Sequence, residues 1–126
     1  MNIVDSSGWL EYFADSANAD FFAPAIKETE QLIVPSISLY EVFKRVCQQA
    51  SEDDALTAIA VMQQGQVVDL DSTLAMQAAL LSIELKLPMA DSIILATARA
   101  HQALLWTQDD DFANIDGVRY IEKNPL

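Results

Sequence analysis

The stretch LLWTQDDDFAN (residues 104–114) decides the fold. Leu104, Leu105 and Trp106 read as a short buried strand, and three carboxylates, Asp109, Asp110 and Asp111, follow almost at once. Two unit charges 4 Å apart repel by about 1 kcal/mol in water and by about 4 at an effective dielectric of 20. A solvated loop tolerates the first figure. A cleft must neutralise the second with a proton, a basic partner or a metal ion. A strand that ends in acids is the pattern of an α/β sheet, in which sites form at the carboxyl ends of the strands.

Working outward, the same alternation recurs. NIVD (2–5), QLIV (31–34), QVVDL (66–70) and VRYI (118–121) read as further strands, the last at an edge. SSGWLEYF begins a helix after the first strand, and NADFFAPAIKETE reads as a second, with Pro24 in its first turn or kinking it. SLYEVFKRVCQQA (38–50) has helical apolar spacing at Leu39, Val42, Phe43, Val46 and Cys47. EDDALTAIAVMQQG stops at Gly65, and STLAMQAALLSIELKL is a long helix ending at Pro88. MADSIILATARAHQ is apolar on nearly all sides, which predicts a buried helix. The expected fold is an α/β sandwich with a mainly parallel central sheet of four to five strands flanked by helices.

At 126 residues, 52% hydrophobic and 21% charged, the chain is expected to form one domain, 1–126, with a real core. The lone Cys47 cannot make an intramolecular disulfide, which fits a reducing compartment. Asp5 and the lack of a basic n-region argue against a signal peptide, and Arg99 cuts the longest apolar run short. A cytoplasmic protein without membrane association is expected. A net charge of −12 opposes non-specific nucleic-acid binding and is compatible with a cation site.

Four carboxylates carry the chemistry, and each has a local alternative. Asp5 suits an N-cap. Glu41 suits a capping box with Ser38 as the cap. Asp91 favours the first turn of its helix through the dipole, and Asp109 suits a turn, with Asp110 and Asp111 as solvated loop charges. Asp53 and Asp54 follow Ser51 in another capping-box pattern and read as structural. Yet Asp5, Glu41, Asp91 and Asp109 all fall at strand carboxyl ends or helix amino ends, the side on which sites form. With one His in the chain, such a set suits a hard cation, Mg²⁺ with Mn²⁺ as a substitute, and not catalytic zinc. His101 and Cys47 read as packing residues. No phosphate-cradling glycine loop and no nucleophile elbow is present. A metal-dependent hydrolase acting on phosphoryl groups follows.

The motifs also resemble a family. MNIVDSSGWLEYF, ISLYEVFKRV and LPMADSIILATARAHQALLWTQDDDFANI resemble, in order, the motifs of PIN-domain ribonucleases, specifically the VapC-type toxins of toxin–antitoxin pairs. The resemblance runs from Met1 to about Ile121 and implies a PIN-like three-layer sandwich. It places the family's metal-holding catalytic acids on Asp5, Glu41, Asp91 and Asp109. Ser6 and Thr107 match supporting residues, Asp111 matches a peripheral acid, and Asp110 is expected to face solvent. It implies a Mg²⁺-dependent endoribonuclease that leaves a 5′-phosphate and a 3′-hydroxyl, works usually as a homodimer, and is held inactive by a cognate antitoxin. In the metal-free state at least one acid is expected to have a raised pKa.

Discounting the four site carboxylates leaves a charge of −8, so RNA binding needs a local basic stripe. Lys44 and Arg45, one turn beyond Glu41, are the candidates, with an ion pair to Glu41 as the alternative role. Trp9, Tyr12 and Phe13 at helical spacing are core residues before they are base-stacking ones. Two rival readings differ in kind. A receiver-like phospho-acceptor domain needs an acidic pair after its first strand, where this chain has Asp5-Ser6. It also needs a phospho-acceptor after the third, where Asp69 is read as lying inside the strand, and a Lys-Pro pair, here split by Asn124. A non-catalytic metal or RNA interaction module would keep its acids as caps.

Overall fold

Ile3 and Val4 are adjacent and fully buried, yet they belong to opposite cores. Successive strand side chains point to opposite faces, so a strand apolar at every position needs cover on both sides. The computed structural model, which describes residues 1–123, supplies that cover. The outer limit of the expected 1–126 domain lies outside the described residues.

The strands are β1 (Asn2–Val4), β2 (Leu32–Pro35), β3 (Gln66–Val68), β4 (Leu104–Thr107) and β5 (Val118–Tyr120). Between them run α1 (Ser6–Phe13), α2 (Ala19–Lys27), α3 (Ser36–Gln49), α4 (Glu52–Met62), α5 (Ser72–Leu85) and α6 (Met89–Ala100). The sheet order is β3-β2-β1-β4-β5, and every neighbouring pair is parallel. Five parallel strands between helices match the α/β sandwich expected from the sequence.

Val4, Leu32 and Val34 face a core completed by Trp9, Phe22, Ile26, Val42 and Met62 from α1 to α4. Ile3, Ile33 and Leu105 face the other, completed by Ile94, Leu95 and Phe112. Each fully buried aliphatic side chain contributes about 1.5–3 kcal/mol. Residues 92–98 of α6 are buried without a break, because α5 covers the face turned away from the sheet. The apolar-all-round reading of that helix is therefore borne out.

Several boundaries differ from the sequence reading. α3 begins at Ser36, directly after Pro35, and not at Ser38. Pro35 ends β2 in register with Val68, so strand passes to helix without a loop. Ser38 is thus interior to the helix and buried, its hydroxyl without a partner, and the capping box with Glu41 does not form. Pro24 lies in the middle of a nine-residue α2. α5 ends at Leu85, where Lys86 takes a left-handed conformation with φ 58°. The Ser51 cap is as expected, its hydroxyl accepting from the Asp54 N–H.

β3 ends at Val68, so Asp69 lies after the strand and not within it. The strand order nevertheless rules out the receiver-like reading. In that flavodoxin-like order the third strand lies beside the first. Here β3 is at an edge, with β2 between it and β1.

Gly8 marks the tightest approach in the first core. A Cβ added there would lie 2.6 Å from the Phe22 ring and 2.7 Å from a Val4 methyl group. Both neighbours are fully buried and have nowhere to go. Gly8→Ala is expected to destabilise the protein by about 1–3 kcal/mol through overpacking. Urea denaturation measures this, and an unchanged midpoint would show that the contact relaxes freely.

Candidate active site

β1 is the central strand and β4 its neighbour on one side, paired from Asn2 with Leu104 to Val4 with Trp106. Their carboxyl ends therefore emerge side by side, carrying Asp5 and Thr107. The Asp5 N–H extends the ladder to the Trp106 carbonyl at 3.1 Å. Asp91 is in the first turn of α6, and Glu41 is on α3. Asp5, Glu41, Asp91 and Asp109 line one cavity of about 450 Å³, with Ser6, Ser7, Tyr40, Lys44, Arg45 and Gln48 also at its wall.

Asp5 is both the N-cap of α1 and a wall of the cavity. Its carboxylate accepts from the Gly8 N–H at 2.9 Å, from Ser7 Oγ at 2.9 Å to each oxygen, and from Thr107 Oγ1 at 2.6 Å. The local cap reading and the site reading thus hold together. Thr107 is fully buried, and its hydroxyl also accepts from the Asp109 N–H at 2.9 Å. Asp109 in turn accepts from the Asp111 N–H at 3.0 Å. Glu41, released from the capping box, accepts from Ser6 Oγ at 2.6 Å across 35 residues of sequence.

Asp91, Asp109 and Asp111 each offer a carboxylate oxygen within 4.8 Å of the others. The structure therefore brings Asp111, expected at the rim, into the tightest group of acids. Asp5 and Glu41 line the same cavity, but their oxygens are held by hydroxyl and backbone donors. Asp110 is exposed, as expected. An all-oxygen donor set of this kind suits a hard divalent cation.

The crowding shows in the proton affinities. Burial pushes the Asp91 carboxyl up to about 7, and the charges of Asp109, Asp111 and Asp5 push it the same way. Burial pushes Asp5 up to about 6, with the Asp109 charge adding to it. The Thr107, Gly8 and Ser7 hydrogen bonds pull it down.

Sequence reasoning did not find Ser7 or the clamp around Gln108. Asn18 Nδ2 donates to Gln108 Oε1 at 3.0 Å, and Gln108 Nε2 reaches Glu11 Oε1 at 3.3 Å and the Ser7 carbonyl at 3.4 Å. This buried network ties α1 to the segment after β4, and so fixes Asp5 relative to Asp109. Its members are about 90 residues apart, and nothing local signals them. Trp9 is fully buried and stacks on Phe13, and so belongs to the core.

The molecule is a parallel α/β sandwich with an acidic pocket over the ends of its central strand β1 and the adjoining β4. The PIN domain family matches residues 3–118, and the chain belongs to that family. No curated protein sequence matches the chain. Among solved structures, a toxin–antitoxin complex from Klebsiella pneumoniae contains a chain similar at 26% identity with a TM-score of 0.79. The alignment covers 94% of this chain and 96% of that one. A sarcin–ricin-loop-cleaving VapC toxin from Mycobacterium tuberculosis is 17% identical at a TM-score of 0.77, over 99% and 100% of the two chains. VapBC from Salmonella typhimurium, solved bound to DNA, is 16% identical at 0.73, over 97% and 98%. The resemblance to VapC-type PIN domains seen in the motifs is borne out.

Two expectations follow. Asp91 and Asp5 bind protons more tightly folded than their ordinary value of 3.8 allows unfolded. The native state therefore holds the extra protons between about pH 4 and 7, and stability falls as pH rises through that window. Metal-free protein is expected to melt at a higher temperature at pH 5 than at pH 8. Asp91→Asn flattens that dependence and stabilises the metal-free protein at pH 8; a thermal melt with the slope unchanged in the variant would contradict it. Thr107→Val removes one buried and one part-buried hydrogen bond at nearly constant volume and leaves the Asp109 N–H without its acceptor. A loss of about 1–3 kcal/mol in urea unfolding is expected.

Proposed function

We propose that the protein is a divalent-metal-dependent endoribonuclease, the toxin of a toxin–antitoxin pair. The observation that carries this reading is the convergence of Asp91, Asp109 and Asp111, with Asp5 and Glu41 on the same cavity wall. Asp5, Glu41, Asp91 and Asp109 are the proposed ligands and catalytic acids for Mg²⁺ or Mn²⁺, with Asp111 at their side and Ser6 and Thr107 in support. Such a cation supplies Lewis acidity toward a phosphoryl oxygen and toward water.

The chain's own residues have separable tasks. Thr107 holds Asp5 and the Asp109 backbone in one geometry, and Ser6 holds Glu41. Asp91, whose carboxyl is raised by burial and by the neighbouring acids in the metal-free state, would give up its proton on taking a cation. Lys44 and Arg45, which line the α3 side of the cavity, are the proposed contacts for phosphate charge, which a protein of net charge −12 needs locally. In the proposed reaction water adds to phosphorus and the bond to the 3′ oxygen breaks, leaving a 5′-phosphate and a 3′-hydroxyl.

The toxin–antitoxin neighbours support a cognate antitoxin as partner, and the family resemblance supports a homodimer. Among the described residues no helix is long and apolar enough to cross a membrane. The proposed place of action is the cytoplasm, where RNA substrates are found.

The test is incubation of the purified protein with total RNA in Mg²⁺ or Mn²⁺, in EDTA, and beside the Asp91→Asn variant. Discrete fragments bearing 5′-phosphates are expected, lost in EDTA and reduced at least about a hundredfold in the variant. Full activity in the variant would sink the role of Asp91. Intact RNA in every lane with metal binding retained would favour the non-catalytic interaction module.

A further inference from the structure

Tyr40 is the one exposed aromatic residue of the ten in the chain. It is 61% exposed, whereas Trp9, Phe22 and Phe112 are fully buried and the other six partly so. It joins neither of the two cores that cover the sheet. Nor does helix propensity recommend a tyrosine on a solvated helical surface. Its position is specific: it lines the acidic cavity, immediately before Glu41.

Tyr40, Lys44 and Gln48 follow at four-residue spacing, so they form one row along α3. All three line the cavity, and Arg45 lies beside them. The Lys44 ammonium lies over the Tyr40 ring, 5.7 Å from its centroid, within cation–π range. That contact orients the ring while leaving most of the residue open to solvent. Two of the chain's seven basic residues are thus gathered next to its one exposed ring, at the edge of its acid cluster.

We propose that Tyr40 is a stacking platform for an unpaired RNA base next to the scissile phosphate, with Lys44 meeting the adjoining phosphate. The proposal rests on the nuclease reading and deepens it by assigning the contact with an unstacked nucleotide to one residue of this chain, Tyr40. Every base has a π-face, so the ring selects for single-strandedness and not for sequence. A paired base has both faces already stacked and cannot use the platform. Gln48 continues the row, and with Arg45 beside it extends contact along the backbone.

The test uses a short unstructured RNA with a central 2-aminopurine, alone and annealed to its complement. Binding is measured in Mg²⁺ with full-length protein carrying Asp91→Asn, which keeps the probe intact. Tighter binding of the single strand than of the duplex is expected, with quenching of the 2-aminopurine. Adding Tyr40→Ala weakens single-strand binding by roughly 5- to 100-fold and abolishes the quenching. Tyr40→Phe keeps both, and neither change shifts the melting temperature. Equal binding of strand and duplex, or a Tyr40→Ala protein that binds and quenches like its parent, would overturn the proposal. The two readings fail separately. Total RNA cut by the otherwise native Tyr40→Ala protein at the native rate and sites removes the platform and spares the nuclease. Stacking without metal-dependent cleavage by the native protein does the reverse.

Discussion

Carboxylates that repel one another are held together in this protein by a scaffold indifferent to their charge. Pairing of β1 with β4 fixes Asp5 and Thr107 at neighbouring strand ends, and the Thr107 hydroxyl ties the Asp5 side chain to the Asp109 backbone. The apolar packing of α6 brings Asp91 up to the same place, whatever its charge. Burial and repulsion then raise the Asp91 carboxyl to about 7. A protonated acid relieves the repulsion in the absence of metal, and a divalent cation bound there would relieve it too. The core thus stabilises the fold strongly enough to keep the site acids crowded, and that crowding is what the proposed cation would relieve.

The two-sided core makes this possible. Strands apolar at every position must be covered by helices on both faces, and those helices bring their own amino ends and flanks to the carboxyl edge of the sheet. α3 delivers Glu41, Lys44 and Tyr40 from one side, and α6 delivers Asp91 from the other. The site is assembled from elements that already have a structural reason to be there. For this reason Asp5 serves as helix cap and cavity wall with one carboxylate.

Much of this was legible in the chain. The apolar strands, the buried α6 and the acids after β1 and β4 follow from periodicity and from turn and capping chemistry, which act over a few residues. The motif order carried the family. Boundaries were less legible where two local signals competed. Ser38 and Glu41 form a plausible capping box, but Pro35 passes straight from strand to helix, and Ser38 became an interior residue. QVVDL reads as strand to Leu70, but β2 stops at Pro35, so pairing ends at Val68 and Asp69 lies just beyond the strand.

The sequence by itself determined which segments are strands and helices, which faces are apolar, and that acids stand where strands end. Only the tertiary structure decided which of those acids meet. Strand order sets β1 beside β4 and β3 at an edge, leaving Asp69 outside the cavity and Asp109 within it. It placed Asp111 with Asp91, gave Glu41 to Ser6, and locked Gln108 to Asn18. These contacts join residues from 20 to 90 positions apart. Local periodicity reports the angle at which a side chain leaves its own helix or strand, and carries no information about which distant element lies opposite.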